Sequence, residues 1–130
     1  MVGVNEIIAP PGIAPPAANY AQGVVTNGAT RWLHTAGMVG GAPDGTVPPT
    51  IGEQARQVWA NIAAVLEEAS MPVTSIVAVT TYVVAGADLG PVMAERDRFM
   101  DGHLAASTLV VLTALARPEW LVEVSLVAAR

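Results

Sequence analysis

The chain contains no cysteine and no lysine. Without cysteine, disulfide bonds, zinc–thiolate sites and thiol nucleophiles are excluded. Without lysine, no side-chain amine can form a Schiff base with a carbonyl substrate. The two histidines, His34 and His103, do not have the spacing of a metal site. We therefore expect neither a metal nor a cofactor.

Charge is also scarce, since 13% of the residues are charged and 52% are hydrophobic, against about 25% charged in an ordinary soluble domain. The longest apolar run, residues 76–87, ends at Asp88, well short of the ~18 residues that a membrane-spanning helix needs. The missing charge therefore indicates a subunit interface and no membrane. The first basic residue is Arg31, so no signal peptide is recognised and we expect a cytoplasmic protein.

The net charge of −5 weighs against a nucleic-acid partner. Affinity for nucleic acid comes chiefly from cations that neutralise phosphates. All six basic residues are arginines, and they are scattered along the chain. We therefore expect no nucleic acid to bind.

The first half of the chain is rich in proline and glycine. Four prolines within residues 8–16 predict an extended lead-in. The apolar runs 20–26 and 32–38 flank Asn27-Gly28, which predicts a hairpin of two paired strands. Residues 40–49 are typical of a turn-rich loop.

Two helices and three strands are expected after this loop. The capping box T-I-G-E at residues 50–53 begins a helix that ends before Pro72. Residues 76–84 predict a strand covered on both faces. Strands are also expected at 108–114 and 120–128. Asp88 is expected to cap the second helix, whose buried side comprises Leu89, Val92, Met93, Phe99 and Met100 and whose exposed side comprises Glu95, Arg96, Asp97 and Arg98.

This order of elements predicts a single α+β domain over residues 1–130. Its mixed β-sheet would carry both helices on one face. The other face of the sheet would remain apolar and would need a partner.

Four stretches of the sequence carry a family resemblance. Residues 19–23 read N-Y-A-Q-G, residues 34–37 read H-T-A-G, residues 54–69 read Q-A-R-Q-V-W-A-N-I-A-A-V-L-E-E-A, and residues 108–124 read T-L-V-V-L-T-A-L-A-R-P-E-W-L-V-E-V. In this order and spacing they resemble segments of the Rid (YjgF-type) imine-deaminase family. The resemblance implies a chorismate-mutase-like homotrimer with a central barrel of sheets. It also implies small-molecule clefts between subunits, in which 2-imino acids are hydrolysed to 2-keto acids and ammonia.

The resemblance also assigns site residues. Glu123 falls at the catalytic glutamate that positions water, Tyr20 at the family's tyrosine and Gly37 at its backbone-binding glycine. Leu109 is placed among the residues that line the cleft. No metal is implied.

The chain departs from the family's pattern at three further positions. The family segment H-R-P-A-R-T reads H-L-A-A-S-T over residues 103–108, so Ser107 stands where an arginine grips the substrate carboxylate. Ala36 replaces a frequent hydroxyl, and Met93 an asparagine. A hydroxyl cannot supply the missing charge but can hydrogen-bond a neutral group. The pocket is therefore expected to suit a less charged or more apolar ligand.

Three functions stay open at this point. The first is an imine or enamine hydrolase with altered substrate preference. The second is a non-catalytic homotrimer that binds or senses a small ligand. The third, an endoribonuclease, is disfavoured by the negative charge. His34 either lines the cleft or lies at a surface, and a triad of Ser107, His103 and Glu123 has no support beyond residue types.

Overall fold

A computed structural model describes residues 4–130. These residues form two α-helices, a short 3₁₀ turn at Val73–Ser75, and seven strands. In chain order the elements are β1 (Asn5–Ile8), β2 (Gly23–Thr26), β3 (Trp32–His34), β4 (Met38–Val39), α1 (Ile51–Glu68), β5 (Ile76–Val84), α2 (Leu89–Met100), β6 (Ala106–Leu112) and β7 (Val122–Ala129).

The main sheet has five strands in the order β3-β7-β5-β6, and β4 also pairs with β7. β5 and β6 are parallel, whereas β7 runs antiparallel to all its neighbours. Both helices contribute to one core cluster with the inner side chains of β5 and β7. The α+β class, the mixed sheet and the two helices predicted from the sequence are therefore confirmed.

The predicted hairpin around Asn27-Gly28 was wrong. The chain does turn there, with Gly28 at φ +65°, but β2 pairs with β1 and β3 pairs with β7. β1 lies just before the proline-rich lead-in and was not predicted. Apolar runs this short do not specify a partner, so long-range pairing decided the outcome.

Both predicted helix caps are present. The Glu53 amide donates to the Thr50 hydroxyl at 3.3 Å, and the Gly90 amide donates to the Asp88 carboxylate at 3.0 Å. Each interaction satisfies an amide that has no partner within its helix. Past the end of α1, the carbonyls of residues 69 and 70 accept from the guanidinium groups of residues 31 and 130, which lie beside β3 and β7.

The exposed side predicted for α2 was wrong at Arg96, which is only 6% exposed. Its guanidinium donates twice to the Asp97 carboxylate, at 3.0 and 3.2 Å. This pairing compensates the charge, so that Arg96 can join Val92 and Met100 on the buried stripe. Leu89, predicted to be buried, is 39% exposed in the first turn of the helix.

The strands β6 and β7 begin two residues away from their predicted starts. β6 starts at Ala106 instead of 108, where it meets Ala78 of β5. β7 starts at Val122 instead of 120, because a turn holds the Trp120 amide on the Arg117 carbonyl. Such shifts are ordinary for strand ends, where the apolar pattern is weakest.

The buried amide of Gln54 holds three segments together. Its Nε2 donates to the carbonyls of Pro48 and Glu119, both at 2.9 Å. Its Oε1 accepts from the Leu121 amide at 2.9 Å. Gln54 is 1% exposed, so these partners replace water completely. The side chain thereby fixes the turn that leads directly into β7.

Replacing Gln54 by leucine is expected to destabilise the protein strongly. The change leaves two carbonyls and one amide without their partner, and a buried unpaired polar group costs about 1–3 kcal/mol. We expect a loss of about 3 kcal/mol in the free energy of unfolding, measured by urea denaturation. Ala64→Leu, on the exposed side of the same helix, is the matched control and should change stability by less than about 0.5 kcal/mol. Equal stability of the two variants would contradict this role.

Candidate functional site

The strand register decides which side chains share a face of the sheet. Paired residues point to the same face, and successive residues alternate between faces. Val79, Thr81 and Val83 of β5 are buried and face the helices. The intervening residues therefore face the other way, onto what we call the open face. Glu123 pairs with Tyr82, so Glu123 lies on the open face.

A bulge lies on the edge of the sheet beside Glu123. His34 pairs with Val127 and Met38 pairs with Val124. The three residues 35–37 therefore lie opposite two residues of β7, which is the geometry of a β-bulge. The Thr35 hydroxyl fills the break by accepting from the Leu126 amide at 3.0 Å. The strand predicted over 32–38 is thus two short strands separated by this bulge.

The carboxylate of Glu123 rests directly on the backbone of Gly37 in the bulge. A Cβ atom at residue 37 would lie 2.7 Å from the carboxyl carbon of Glu123 and still closer to Oε2. Only glycine leaves room for this contact. Glu123 is half-buried and forms no ion pair with any residue in the described part of the chain. Its carboxylate is therefore held in place by packing and faces the open side of the sheet.

Ser107 lies on the opposite face. It pairs with Val79 on β5, whereas Glu123 pairs with Tyr82 on the other side of the same strand. The two positions are two strands apart across the sheet and three residues apart along the strand direction. This corresponds to about 14 Å between their Cα atoms. In one chain, Ser107 and Glu123 therefore do not share a cavity.

Tyr20 lies near Ser107. The next residue, Ala21, forms a parallel bridge with Ala106, and its amide donates to the Ala105 carbonyl at 2.9 Å. The Tyr20 hydroxyl accepts from the Ala17 amide at 3.2 Å. The segment that carries Tyr20 is therefore fixed against the start of β6.

Met93 is directed toward this segment by its position on α2. It precedes Asp97 by one helical turn, so both side chains lie on the same side of the helix. The Asp97 carboxylate accepts from the Asn19 side chain at 3.1 Å. Leu109 shares the helix-facing side with Ser107 and packs against the core.

The predicted site residues therefore form two groups. The first group comprises Tyr20, Met93, Ser107 and Leu109, beside α2 and the edge strand β6. The second group comprises Glu123, Ala36 and Gly37, on the open face near the opposite edge. A cavity of about 190 Å³ adjoins the first group and is lined by Asn19, Asp97, Met100, Gly102, His103 and Leu104.

Neither histidine forms part of a triad. The His103 Nε2 lies 2.8 Å from the Ile76 carbonyl, and a carbonyl only accepts, so this nitrogen carries the proton. Ser107 and Glu123 are on opposite faces, which excludes the triad of these residues within one chain. His34 is exposed on the open face, where its ring stacks on Trp32 at 6.5 Å.

Three residues that shape these groups were not recognised in the sequence. Thr35 closes the bulge, while Asn19 and Asp97 join α2 to the Tyr20 segment. Asn19 and Asp97 lie 78 positions apart, so no local pattern links them. Thr35 lies inside the H-T-A-G stretch, where a glycine interrupts a strand pattern. Such an interruption is a sequence signal for a bulge.

The comparisons of sequence and of structure with known proteins point to the same family. The sequence model of the family described as Endoribonuclease L-PSP matches residues 12–130. The YyfB protein of Yersinia pestis, of the conserved Rid protein family and of unknown function, is 28% identical, with a TM-score of 0.89 over 98% of this chain and 100% of that chain. No curated protein sequence matches. The chain therefore belongs to the Rid, or Endoribonuclease L-PSP, family.

Two further structures show how widely the fold occurs. TdcF of E. coli, determined with bound serine, is 25% identical, with a TM-score of 0.71 over 96% of this chain and 98% of that chain. Yeast Mmf1, at 22% identity, has a TM-score of 0.68 over 97% and 98% of the two chains and shows the fold alone. The chorismate-mutase-like fold expected from the resemblance is therefore confirmed.

Two structural features bear on membranes and metals. Within residues 4–130, no helix combines the length and the apolar character needed to cross a bilayer. In the same part of the chain, no group of three or more histidine, aspartate or glutamate side chains is arranged to hold a metal ion.

Gly37→Ala should destabilise the protein through Glu123 specifically. The new methyl group displaces the Glu123 carboxylate, and such overpacking costs about 1–3 kcal/mol. In urea denaturation, the double variant Gly37→Ala/Glu123→Ala should recover most of this loss, because the truncated side chain leaves room. Gly41→Ala, where nothing lies within 4 Å of the added Cβ, is the control. Strictly additive effects of the two substitutions would show that the contact is not the cause.

Proposed function

We propose that this protein hydrolyses a C=N bond, as an imine or enamine deaminase, with Glu123 as the residue that activates water. The observation that carries the proposal is the Glu123 carboxylate, held against Gly37 on the open face with no ion-pair partner in the described residues. A carboxylate without such a partner can accept a hydrogen bond from a water molecule. Membership of the family supports the assignment of this position.

The reaction requires one oriented water and one group that exchanges protons. The carboxylate of Glu123 accepts a proton as the water oxygen attacks the carbon of the protonated imine, which gives a neutral carbinolamine. Glu123 returns this proton to the nitrogen, the C–N bond breaks, and ammonia leaves. The C=O bond forms as the carbinolamine hydroxyl loses its proton to solvent, so the products are a carbonyl compound and ammonia. An enamine enters the same sequence after protonation at carbon, which converts it to the protonated imine.

The active unit that we propose is a homotrimer with its sites between subunits. The two groups of site residues lie on opposite faces of one chain, so a common cleft needs Glu123 from one copy and Ser107 from another. Ser107 is the second residue of β6, the edge strand of the sheet, where a neighbouring copy has access. The open face carries exposed apolar side chains, including Trp32 at 53% and Val110 at 37%. A second copy would cover them.

The substrate that we propose is less charged than a 2-imino acid. Ser107 replaces the cation that would bind a carboxylate. The nearby guanidinium of Arg96 is already engaged by Asp97, and the Asp97 side chain is 39% exposed beside the cavity. An added carboxylate would be repelled there, whereas a neutral carbonyl, amide or hydroxyl can accept from Ser107. The serine bound by the related TdcF supports a small ligand for this family.

Glu123→Gln is expected to remove the activity while leaving the fold intact. Glutamine keeps the shape but cannot exchange a proton, and general acid–base catalysis contributes about 10²–10⁴-fold. Ammonia release from imines generated in situ by an amino-acid oxidase should fall at least a hundredfold. Glu119→Gln, which changes an exposed carboxylate in the turn before β7, is the control. Unchanged turnover of every substrate by Glu123→Gln, or a lone subunit in sedimentation, would overturn the proposal.

Ser107→Arg should shift the substrate preference toward carboxylates. A charge-assisted hydrogen bond contributes about 1.5–3 kcal/mol, and about 1.4 kcal/mol corresponds to a factor of ten. We expect the ratio of kcat/KM for a 2-imino acid to that for its carboxamide to rise at least tenfold. Ser107→Gln, of similar length but uncharged, should not produce this rise. An equal rise in both variants would show that size, and not charge, sets the preference.

The second candidate is a ligand-binding trimer without catalysis. It is favoured by Ser107 and Ala36, since residue 107 lacks the charge and residue 36 the hydroxyl expected in the family. Binding of a metabolite without ammonia release would support it. An endoribonuclease is the weakest candidate, because the net charge is −5 and phosphate binding depends on clustered cations. The cytoplasmic location expected from the sequence stays a prediction.

A further inference from the structure

A groove runs between α1 and α2 on the side of the helices away from the sheet. Its volume is about 410 Å³, and it is lined by Arg56, Trp59, Ala60, Ala63, Glu95, Arg98 and Phe99. This volume is within the range of about 300–1,000 Å³ that is usual for small-molecule pockets. None of these residues belongs to either group of predicted site residues.

The floor of the groove is aromatic. The rings of Trp59 and Phe99 stack with their centroids 4.8 Å apart and an interplanar angle of 25°. Ala60 and Ala63, on the same side of α1, have short side chains and leave the space above these rings open. Trp59 is only 4% exposed, so a flat or branched apolar group placed there would contact Phe99 and the small accessible part of Trp59.

The rim of the groove carries an excess of positive charge. Arg56 from α1 and Arg98 from α2 both reach one carboxylate oxygen of Glu95, at 3.2 and 3.5 Å. Glu95 is 11% exposed, whereas the side chains of Arg56 and Arg98 are 68% and 66% exposed. One carboxylate cannot neutralise two guanidinium groups, so one positive charge remains. Each guanidinium has five N–H donors, and most of them face solvent.

The meeting of two arginines at one groove is unusual because the chain contains only six basic residues. Two of them bind carbonyls beyond the end of α1, one pairs with Asp97 inside α2, and one lies over the Trp120 ring. The remaining two come from different helices and meet at one groove. Its apolar floor and cationic rim together match an amphipathic anion.

We propose that this groove binds a small apolar carboxylic acid, with its aryl or branched alkyl group on Trp59 and Phe99 and its carboxylate between Arg56 and Arg98. The geometry favours a small molecule over a protein partner. A stable protein interface buries about 800 Å² on each side, whereas this floor is two rings wide. The site is separate from the sheet, so the proposal does not depend on the deaminase function.

Calorimetric titration of the whole protein with phenylacetate tests the proposal. We expect saturable binding, and binding at least tenfold weaker for the neutral phenylacetamide. The double variant Arg56→Gln/Arg98→Gln should also weaken phenylacetate binding at least tenfold. Arg117→Gln is the matched control, because its side chain is equally exposed at 67% but lies outside the groove. Ala60→Phe, which fills the groove from an exposed position, should abolish binding.

The indole N–H signals in an NMR titration locate the ligand. The signal of Trp59 should shift with phenylacetate, whereas those of Trp32 and Trp120 should not. The proposal is overturned by an absence of saturable binding, by unchanged affinity in the double arginine variant, or by equal binding of acid and amide. Binding that persists in Ala60→Phe but disappears in Glu123→Gln would place the acid at the sheet instead, which also overturns it.

Discussion

The amide of Gln54 is the interaction on which the placement of the candidate site depends. One buried side chain binds the loop before α1 and the turn before β7, and all three of its partners are backbone groups. The Gly40 backbone packs so closely on residue 54 that an added Cβ would lie 2.9 Å from its Cα. Seven residues further along α1, Asn61 donates to the carbonyls of Val39 and Gly41. The helix thereby sets the position of both strands that meet at Glu123.

The contact between Glu123 and Gly37 follows from this arrangement. β4 and β7 are adjacent because α1 holds the loops at their ends, and the bulge then brings the backbone of residue 37 under the carboxylate. A glutamate on a strand normally turns toward solvent, because burying a charge is costly. Here β7 lies inside the sheet, and the bulge beside it in the neighbouring edge segment gives Glu123 a half-buried position with one side open. The chemistry proposed for Glu123 therefore depends on backbone geometry more than on neighbouring charges.

The sequence predicted the elements of the fold better than their partners. The strand at 76–84 and both helix caps were predicted correctly, because alternation, apolar runs and capping residues act locally. The pairing of β2 with β1 and the bulge at 35–37 are set by contacts between distant segments, which no local pattern records. Arg96 is a similar case, since its burial depends on Asp97 being held in turn by Asn19. The resemblance pointed to Glu123 and Gly37 as site residues. Their mutual contact, and the position of Ser107 on the helix-facing side of the sheet, depend on the folded structure and could not be predicted from it.

The bulge also constrains how this region can change in evolution. The three residues 35–37 lie opposite only two residues of β7, so the segment holds one residue more than a regular ladder needs. Removing one of them would leave a regular ladder in which Met38 still pairs with Val124. The extra backbone that now supports the Glu123 carboxylate would then be lost. A deletion here would therefore spare the sheet and remove the support of the carboxylate.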